Sequence, residues 1–331
     1  MKKFTLLVCA LFCLGIVTVK AQYWVLLGFN GTNGALPYGA LTVSGNTLFG
    51  MTLDGGMNGD GNVFSIRTDG SNYKDLHDFS LVWVSSGPNG NGSWYKVYYP
   101  FGSLTLSGNR MYGMTWEGGT AGGFSGNIFS IDTNGNAYND LYEMQLGKIG
   151  WYPYGDLTLC GNKFYGTTSA GIHSGFGYIF SMNANTSVVD TLFDFNGSDR
   201  FSHNADLTTV AGLLYGMTQS GGVYGKGNIF SIDTTGNNYR DLYDFNTANY
   251  VYPSGELTYS TGVLYGVTSY GGVNDSGSIF SIDTNGSNYK DLFDFDGPNG
   301  KNPVASLTLL GNRLYGMTPY GGQKNQGVVF T

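Results

Sequence analysis

An all-β chain built from tandem repeats is the fold class that this sequence of 331 residues predicts. Glycine, with 54 copies, and aromatic residues, at 15%, are abundant, whereas charged residues make up only 12%. Short runs of Ile, Val, Phe, Tyr and Thr lie between Gly and Asn clusters, and no window shows a long apolar period of 3.6 residues. One unit recurs six times. Strands joined by tight turns are therefore expected, and disorder is excluded because so many aromatic side chains require burial.

The first 21 residues are predicted to be a secretory signal peptide, and residues 22–331 a single six-repeat domain. Two lysines precede an apolar run that ends at Val19, and Ala21 supplies a small residue for cleavage. The run is shorter than the ~20 residues of a membrane-spanning helix. We therefore expect no membrane insertion, and a secreted or cell-surface location after cleavage near Ala21.

The mature chain is acidic and is expected to lack an internal disulfide. Without the three lysines of the signal peptide it carries 13 basic and 23 acidic residues, which is a net charge of −10. Such a chain repels nucleic acid and anionic lipid, so neither is an expected partner. Cys160 is the only cysteine after the signal peptide, so stability has to come from packing. We expect a monomer.

The repeat is clearest in the motif L-Y-G-M-T, whose glycines are spaced by 63, 53, 50, 50 and 50 residues. These glycines are Gly50, Gly113, Gly166, Gly216, Gly266 and Gly316. Each unit reads as four strands, of the types S-L-T-L-S-G-N, L-Y-G-M-T, N-I-F-S-I-D-T and Y-K-D-L-F-D-F. A G-G-x4-G loop joins the second to the third, and a T-N-G turn joins the third to the fourth. Four antiparallel strands repeated radially are typical of a β-propeller blade, so six blades are predicted.

The chain ends indicate how the propeller closes. Residues Tyr23 to Asn30 resemble a fourth strand without a preceding three, and the chain stops at Thr331, within a third strand. We therefore predict that the N-terminal strand completes the last blade. The alternative is that the chain is a fragment of a longer protein, because earlier copies continue with S-I-D-T at this point.

The whole unit, G-N-x-L-Y-G-M/V-T-x-x-G-G-x4-G-x-I-F-S-I-D-T-x-G, resembles the GloVer tandem repeat of exported bacterial proteins that carry varied C-terminal anchors. The resemblance covers almost all of residues 23–331. It implies a propeller-like, secreted repeat protein, and it does not imply an activity. This chain departs from the pattern because no sorting or anchor domain is recognisable after the repeats, which leaves cell-surface attachment open.

One face of the predicted propeller carries most of the variation between copies. The S-G-N and D-T-N-G turns are short and nearly identical, whereas the G-G-x4-G loops and the inter-blade connections differ. Positions that differ between repeats are the ones most able to take on a binding role. Four of the five tryptophans map to this face. The residues that we predict to bind ligand there are Trp94, Trp116, Glu117, Trp151, Tyr270 and Tyr320.

Aromatic platforms beside Asn, Ser and Asp suit a sugar ring, which has an apolar face to stack and hydroxyls to hydrogen-bond. We therefore predict a secreted, non-enzymatic binding propeller for an extracellular glycan or another polymer. One alternative is a structural or adhesion repeat whose partner is a protein. Another is that these aromatics only pack the connections against neighbouring blades.

A second variable position comes just before the L-T of each first strand. Its occupants are Ala40, Ser103, Asp156, Asp206, Glu256 and Ser306. Three acids in consecutive blades, at the mouth of the channel, are candidate catalytic residues for a polysaccharide hydrolase or lyase. Oxygen ligands could also hold Ca²⁺, but no calcium-binding motif supports this, and we expect no metal or cofactor. The third interpretation is a solvated acidic rim.

Other enzyme chemistries lack a motif in this sequence. The three histidines, His77, His173 and His203, occupy different repeat positions, so a zinc site or a Ser-His-Asp triad is unsupported. No G-x-S-x-G, G-x-G-x-x-G or G-x4-G-K-[ST] motif occurs. Recurrent aspartates such as Asp233 and Asp241 are assigned to turn and strand hydrogen bonds. These observations favour a binding protein over an enzyme.

Overall fold

The structure is a computed structural model. It describes residues 25–80, 82–85, 93–96, 98–118, 125–144, 149–170, 177–195, 200–201, 206–246 and 251–331. The described residues form 26 β-strands and no helix. They include no helix with the length and apolar character needed to cross a membrane. The predicted signal peptide lies outside the described residues.

The first three blades are four-stranded sheets, each in simple order along the chain. Blade 1 contains β1 (Thr42–Ser44), β2 (Thr47–Thr52), β3 (Asn62–Arg67) and β4 (Lys74–Asp78). The insertion after blade 1 forms a separate hairpin of β5 (Val82–Ser85) and β6 (Ser93–Lys96). Blade 2 contains β7 (Thr105–Ser107), β8 (Arg110–Thr115), β9 (Asn127–Asp132) and β10 (Asn139–Glu143). Blade 3 contains β11 (Thr158–Cys160), β12 (Lys163–Thr168), β13 (Tyr178–Asn183) and β14 (Val189–Asp194).

The remaining blades repeat this order with small differences. Blade 4 contains β15 (Arg200–Phe201), β16 (Thr208–Val210), β17 (Leu213–Ser220), β18 (Asn228–Asp233) and β19 (Arg240–Asp244), and both β15 and β16 pair with β17. Blade 5 contains β20 (Pro253–Ser260), β21 (Val263–Thr268), β22 (Ser278–Asp283) and β23 (Lys290–Asp294). Blade 6 contains β24 (Thr308–Leu310), β25 (Arg313–Thr318) and β26 (Val328–Phe330).

The first strands of successive blades face one another around the axis. Strand β7 contacts β11, β11 contacts β16, β16 contacts β20, and β20 contacts β24. The strand pairs are antiparallel throughout the described blades. The predicted six-bladed, all-β propeller of antiparallel sheets is therefore confirmed, with three strands in its last blade.

The glycine of each second strand makes room for a phenylalanine of the third. In blade 4, Gly216 pairs with Phe230, and a Cβ atom at Gly216 would lie 2.5 Å from Phe230 Cζ. Phe230 is fully buried and meets Phe195, from the end of blade 3, at a ring-centroid distance of 5.6 Å. All six blades repeat the pair, as Gly50 with Phe64, Gly113 with Phe129, Gly166 with Phe180, Gly216 with Phe230, Gly266 with Phe280 and Gly316 with Phe330. The recurring glycine is therefore part of the scaffold.

The recurring aspartates serve strand and turn hydrogen bonds, as predicted. Thr218 Oγ1 donates to Asn228 Oδ1 at 2.6 Å, and Asn228 Nδ2 donates to Asp241 Oδ2 at 3.1 Å, which links the three outer strands of blade 4. In the following turn, the backbone N–H groups of Thr235 and Asn237 donate to Asp233 Oδ1 at 2.9 Å. The hydrogen bonds, first of all the one from the Thr235 hydroxyl, lower the pKa of Asp233 to about 2.

The predicted closure of the last blade by the N-terminal strand is not observed among the described residues. Residues 25–30 form no strand, and β24, β25 and β26 pair only with each other. The ring of Phe29 nevertheless meets Phe64 of blade 1 at 5.3 Å, as Phe295 at the end of blade 5 meets Phe330 of blade 6 at 5.1 Å. The N-terminal segment thus packs on blade 1 through Phe29, which takes the place of the phenylalanine that follows a fourth strand. Its backbone does not pair with β26.

Apolar side chains of the first and last blades are more exposed to solvent than the equivalent side chains of the blades between them. Leu41 of blade 1 is 50% exposed, whereas the equivalent Leu207 of blade 4 is 1% exposed. On blade 6, Met317 is 58% exposed, whereas the equivalent Met217 is 1% exposed. The packing that buries these positions between successive blades is therefore missing where the first and last blades would meet.

Candidate functional site

Six aromatic side chains meet on the loop face of blades 1 to 3, and we call them the aromatic platform. They come from three inter-blade connections and one second-to-third-strand loop, and are Tyr38, Tyr99, Phe101, Trp116, Tyr152 and Tyr154. The centroids of contacting rings lie between 5.0 and 6.5 Å apart. Tyr38 is 63% exposed and the other five are half-buried. The platform therefore presents ring surface to solvent.

Trp116 lies at the centre of the platform, between two inter-blade connections. Its backbone N–H donates to Tyr99 O at 2.9 Å, in the preceding connection. Its indole ring lies 5.0 Å from Tyr152 and 5.6 Å from Tyr154, in the following connection. Trp116 Nε1 is buried and has no hydrogen-bond acceptor among the described residues. A buried donor without an acceptor costs about 1–3 kcal/mol.

A strained backbone holds the tyrosines of the connections in place. Tyr99, Tyr152 and Tyr252 each precede a proline and have positive φ angles of 46°, 63° and 47°. A left-handed conformation costs a non-glycine residue roughly 1–2 kcal/mol, and a following proline restricts it further. Each tyrosine carbonyl accepts a backbone hydrogen bond from the residue that follows the next second strand, as Tyr152 O does from Ser169 N at 3.1 Å. Leu36 and Asn302 have the same conformation at the equivalent positions, with φ angles of 54° and 55°, so it recurs with the repeat.

Glu117 supplies the acidic group of the platform. Its backbone is fixed, because its N–H donates to Tyr98 O at 3.1 Å and its carbonyl accepts from Thr115 Oγ1 at 2.6 Å. Its carboxylate makes no salt bridge with any residue that the structure describes. Burial raises the pKa of Glu117. Burial first, and then the charge of Glu117, raises the pKa of both Tyr99 and Tyr154.

The other predicted ligand residues lie away from the centre of the platform. Trp151 is half-buried and forms a backbone bridge with Ala170, without a ring contact to the platform among the described residues. Tyr270, 43% exposed, contacts Tyr252 at 5.4 Å on the far side of the propeller. Tyr320 is 55% exposed, on the last blade. The backbone of Trp94 lies in β6, but its side chain lies outside the described residues. The structure therefore brings together Trp116 and Glu117 from the predicted set.

Five members of the platform are not among the predicted ligand residues, and they are Tyr38, Tyr99, Phe101, Tyr152 and Tyr154. The signal was present as a recurring motif in the connections, L-P-Y-G at residues 36–39, Y-P-F-G at 99–102 and Y-P-Y-G at 152–155. The equivalent segments before blades 5 and 6 read Y-P-S-G and N-P-V-A. The aromatic residue after the proline is therefore confined to the connections that build the platform.

Two of the three candidate catalytic carboxylates, those of Asp156 and Asp206, accept hydrogen bonds from the preceding blade. The residue just before the L-T pair of one blade donates its backbone N–H to the side chain of the equivalent residue in the next blade. Asp156 N–H donates to Asp206 Oδ1 at 2.5 Å, and Ser103 N–H donates to Asp156 Oδ1. Glu256 N–H donates to Ser306 Oγ at 2.8 Å, so a neutral hydroxyl fills the same role as a carboxylate. These contacts support a structural role for Asp156 and Asp206.

A parallel series of threonine bonds lies one layer deeper. Thr158 Oγ1 donates to Leu207 O at 2.5 Å, and Thr258 Oγ1 donates to Leu307 O at 2.6 Å. Thr208 Oγ1 donates to Leu257 O at 2.5 Å in the same way. The innermost strands of neighbouring blades are therefore hydrogen-bonded at two positions that lie two residues apart. This explains why the L-T pair recurs in the first strands.

Burial raises the pKa of each of the three carboxyl groups. The pKa of Asp206 lies well above its ordinary value, because of burial first and then the charge of Asp156. Burial, and then the charge of Asp156, raises the pKa of Glu256 to about 7. Burial also raises the pKa of Asp156, although the hydrogen bonds from Ser103 act to lower it. Within the described part of the chain, no group of three or more His, Cys, Asp or Glu side chains could hold a metal ion. Catalysis by these acids stays a prediction.

Comparison with known proteins concerns the repeat and the fold. The family model described as the Gloeobacter/Verrucomicrobia repeat matches residues 14–216, 89–258 and 203–331. No curated protein matches the sequence.

Several solved structures have a similar fold at low sequence identity. A putative TolB from Agrobacterium tumefaciens aligns over 86% of this chain and 85% of its own, at 14% identity and a TM-score of 0.47. An oligogalacturonate lyase in complex with manganese aligns over 75% and 62%, at 12% identity and a TM-score of 0.46. A prolyl endopeptidase structure aligns over 91% and 43%, at 10% identity and a TM-score of 0.51. This chain thus spans less than two thirds of the last two proteins, and the similarity concerns the fold alone.

Proposed function

The chain belongs to the Gloeobacter/Verrucomicrobia repeat family, and we propose that it is a secreted, non-enzymatic binding propeller that recognises an extracellular glycan on the aromatic platform. The observation that carries this proposal is the contiguous patch of six ring side chains centred on Trp116. Export is proposed from the apolar N-terminal segment of residues 1–21.

The chemistry of the platform suits a sugar polymer. Half-exposed rings offer apolar surface to the C–H faces of a sugar, and nearby polar groups orient its hydroxyls. The half-buried Glu117 side chain can accept a hydrogen bond from a sugar hydroxyl. Tyr38, Phe101 and Tyr154 come from three successive connections, with centroid distances of 5.6 and 5.0 Å between neighbours. A row of this length can contact more than one sugar unit.

Replacing Trp116 with alanine is expected to weaken glycan binding about tenfold, because the central stacking surface of the platform is lost. Binding is measured by isothermal titration calorimetry with an oligosaccharide identified on a glycan array, and folding is checked by thermal unfolding. The control is Tyr259→Ala, which removes an exposed ring from strand β20 of blade 5. A blank array, or equal affinity of Trp116→Ala and the unaltered protein, contradicts the proposal.

Replacing Tyr152 with asparagine is expected to weaken glycan binding without lowering the stability of the protein. Asparagine tolerates the left-handed conformation that Tyr152 adopts at φ 63°, so part of the backbone strain is relieved. The ring that packs on Trp116 at 5.0 Å is lost at the same time. We expect the unfolding midpoint to be unchanged or higher and the affinity for the glycan to fall about threefold or more. Unchanged affinity would exclude Tyr152 from the binding surface.

A further inference from the structure

A polar pocket of about 440 Å³ lies between blade 1 and the T-N turn of blade 2, and we call it the turn-face pocket. It is formed at the turn end of the blades, whereas the aromatic platform is built from the connections at the opposite end. Its size is within the range of about 300–1,000 Å³ that is typical of small-molecule sites. The lining residues with charged or hydroxyl groups are Ser44, Thr47, Ser65, Arg67, Lys74 and Thr133.

The strand register places the two cations of the pocket on the same face of blade 1. Arg67 and Ser65 are two residues apart in β3, so their side chains leave the same face of the sheet. Lys74 lies directly opposite Ser65 in the pairing of β3 with β4, and opposite residues share a face as well. Diagonal neighbours of this kind lie within about 8 Å of each other. Both cations therefore act on the same space.

The carboxylates that neighbour these cations along the chain have other hydrogen-bond donors. Asp75 follows directly after the lysine and points to the other face of β4, where Oδ2 accepts from Asn62 Nδ2 at 3.0 Å. Asp69 Oδ1 accepts from the N–H and the hydroxyl of Ser71 at 2.9 and 2.6 Å. These bonds first, and the charge of Arg67 to a smaller degree, lower the pKa of Asp69. The described residues that line the pocket include two cations and no carboxylate.

Blade 1 differs from the later copies in its charge at this place. Its third strand ends in Arg67, whereas the equivalent residue is an aspartate in blades 2, 4 and 5 and an asparagine in blade 3. These residues are Asp132, Asn183, Asp233 and Asp283. A carboxylate at this position would repel an anion. Only the first of these five copies combines a cation here with a second one at the position of Lys74.

Blade 1 also has more space on this face than blade 2. In blade 2, Arg110 Nε donates to Ser130 Oγ at 3.1 Å and lies 3.9 Å from Asp132 Oδ1. The guanidinium of the second strand thus occupies the face of its own blade. Blade 1 has the short side chain of Thr47 in place of this arginine, so the equivalent serine, Ser65, lines the pocket.

A second difference from the later copies enlarges the base of the pocket. In blade 3, Tyr165 Oη donates to Thr234 O of the next blade at 3.4 Å. Blade 1 has Phe49 at the equivalent position, and it has no hydroxyl to reach Thr133, the equivalent threonine of blade 2. Phe49 is buried and forms an apolar base, with hydroxyl groups around it. The pocket is therefore a feature of the first copy and not of the repeat in general.

We propose that the turn-face pocket binds a small polar ligand that carries a sulphate or phosphate ester, of the class of sulphated and phosphorylated sugars. Arg67 offers a planar fork of N–H donors, and Lys74 offers a compact charge. The surrounding hydroxyls donate to the remaining oxygens, and an ester of this kind has three terminal oxygens where a carboxylate has two. The volume leaves room for the attached sugar ring. The site is independent of the aromatic platform.

The test compares four ligands of one size, which are glucose, glucuronate, glucose 6-sulphate and glucose 6-phosphate. Affinities are measured by isothermal titration calorimetry at constant ionic strength, because exposed charges are screened by salt. We expect both esters to bind about tenfold or more tightly than glucose, with glucuronate between them. A preference for either ester supports the proposal and identifies the ester. If neither ester binds more tightly than glucuronate, the proposal is overturned.

Two variants test the assignment to this pocket. Arg67→Asn introduces the residue that blade 3 has at this position, and it is expected to lower the affinity for the preferred ester about tenfold. Thr47→Arg adds a positive charge but fills the pocket as Arg110 fills the equivalent face of blade 2, so we expect it to lower the affinity by a similar factor. Unspecific attraction to the surface would raise the affinity of Thr47→Arg instead.

The control for the loss of one positive charge is Arg240→Asn, at an exposed position on β19 of blade 4. Its affinity for the ester is expected to equal that of the unaltered protein, and thermal unfolding checks that every variant is folded. Unchanged affinity of folded Arg67→Asn, an equal loss with Arg240→Asn, or tighter binding by Thr47→Arg overturns the proposal.

Discussion

Replacing Gly216 with alanine is expected to lower the free energy of unfolding by about 3 kcal/mol. The new Cβ would lie 2.5 Å from Phe230 Cζ and 3.1 Å from Leu207 Cδ2, and both neighbours are buried. Phe230 cannot swing away easily, because its ring contacts Phe195 at 5.6 Å and Tyr239 at 5.4 Å. The ring must shift into occupied space, so packing is lost on both sides. Urea unfolding at neutral pH measures the change.

Two variants show whether steric overlap is the cause. Gly212→Ala places its Cβ in open space, but at a φ of 82°, so we expect it to cost only the roughly 1–2 kcal/mol of a left-handed residue. The double variant Gly216→Ala with Phe230→Leu removes the clashing ring edge. We expect the double variant to lose less stability than the sum of the two single variants, by about 1 kcal/mol or more. Strict additivity, or a loss below that of Gly212→Ala, would contradict the role assigned to the glycine.

The repeat explains why the blades could be predicted from sequence while the closure could not. Six copies of the same unit fix where strands begin and end, because each Gly–Phe pair and each L-T bond recurs with the same spacing. The predicted N-terminal strand depended on a single segment of the chain. Phe29 does take the ring position of a fourth-strand phenylalanine, against Phe64. Backbone pairing with β26, however, depends on the two end blades meeting, and no local sequence pattern determines that.

The candidate site was partly predictable for the same reason. Trp116 and Glu117 stand out because they occupy two positions at which the other copies vary. Tyr152 and Tyr154 could not be predicted, because tyrosine is common throughout the chain, with 25 copies. Their contact with Trp116 depends on the left-handed backbone at Tyr152, which the sequence does not reveal. The three acids were found by their position, but their hydrogen bonds to the next blade depend on how the blades pack.

Replacing Asp206 with asparagine is expected to stabilise the protein by about 2 kcal/mol near pH 8 and to change little near pH 4. The folded-state pKa of Asp206 lies well above the unfolded value because of burial and the charge of Asp156. The folded state therefore holds the proton more tightly, so this stabilising contribution is complete below the unfolded pKa and is lost as the pH rises through the folded pKa. Asparagine keeps an oxygen that accepts from Asp156 N–H, and it carries no charge. Thermal and urea unfolding across this pH range measure the difference.

Two comparisons decide between a structural and a chemical role for this carboxyl group. Asp206→Ala also removes the acceptor of the 2.5 Å bond from Asp156 N–H, so we expect it to be less stable than Asp206→Asn by about 1–3 kcal/mol at every pH. Ser306 already accepts the equivalent bond from Glu256 N–H with a neutral hydroxyl, which shows that the position does not need a charge. If Asp206→Asn instead lowered stability at pH 8, the folded state would favour the ionised carboxylate, and a role as a cation ligand or a catalytic group would be the better explanation for three acids in consecutive blades.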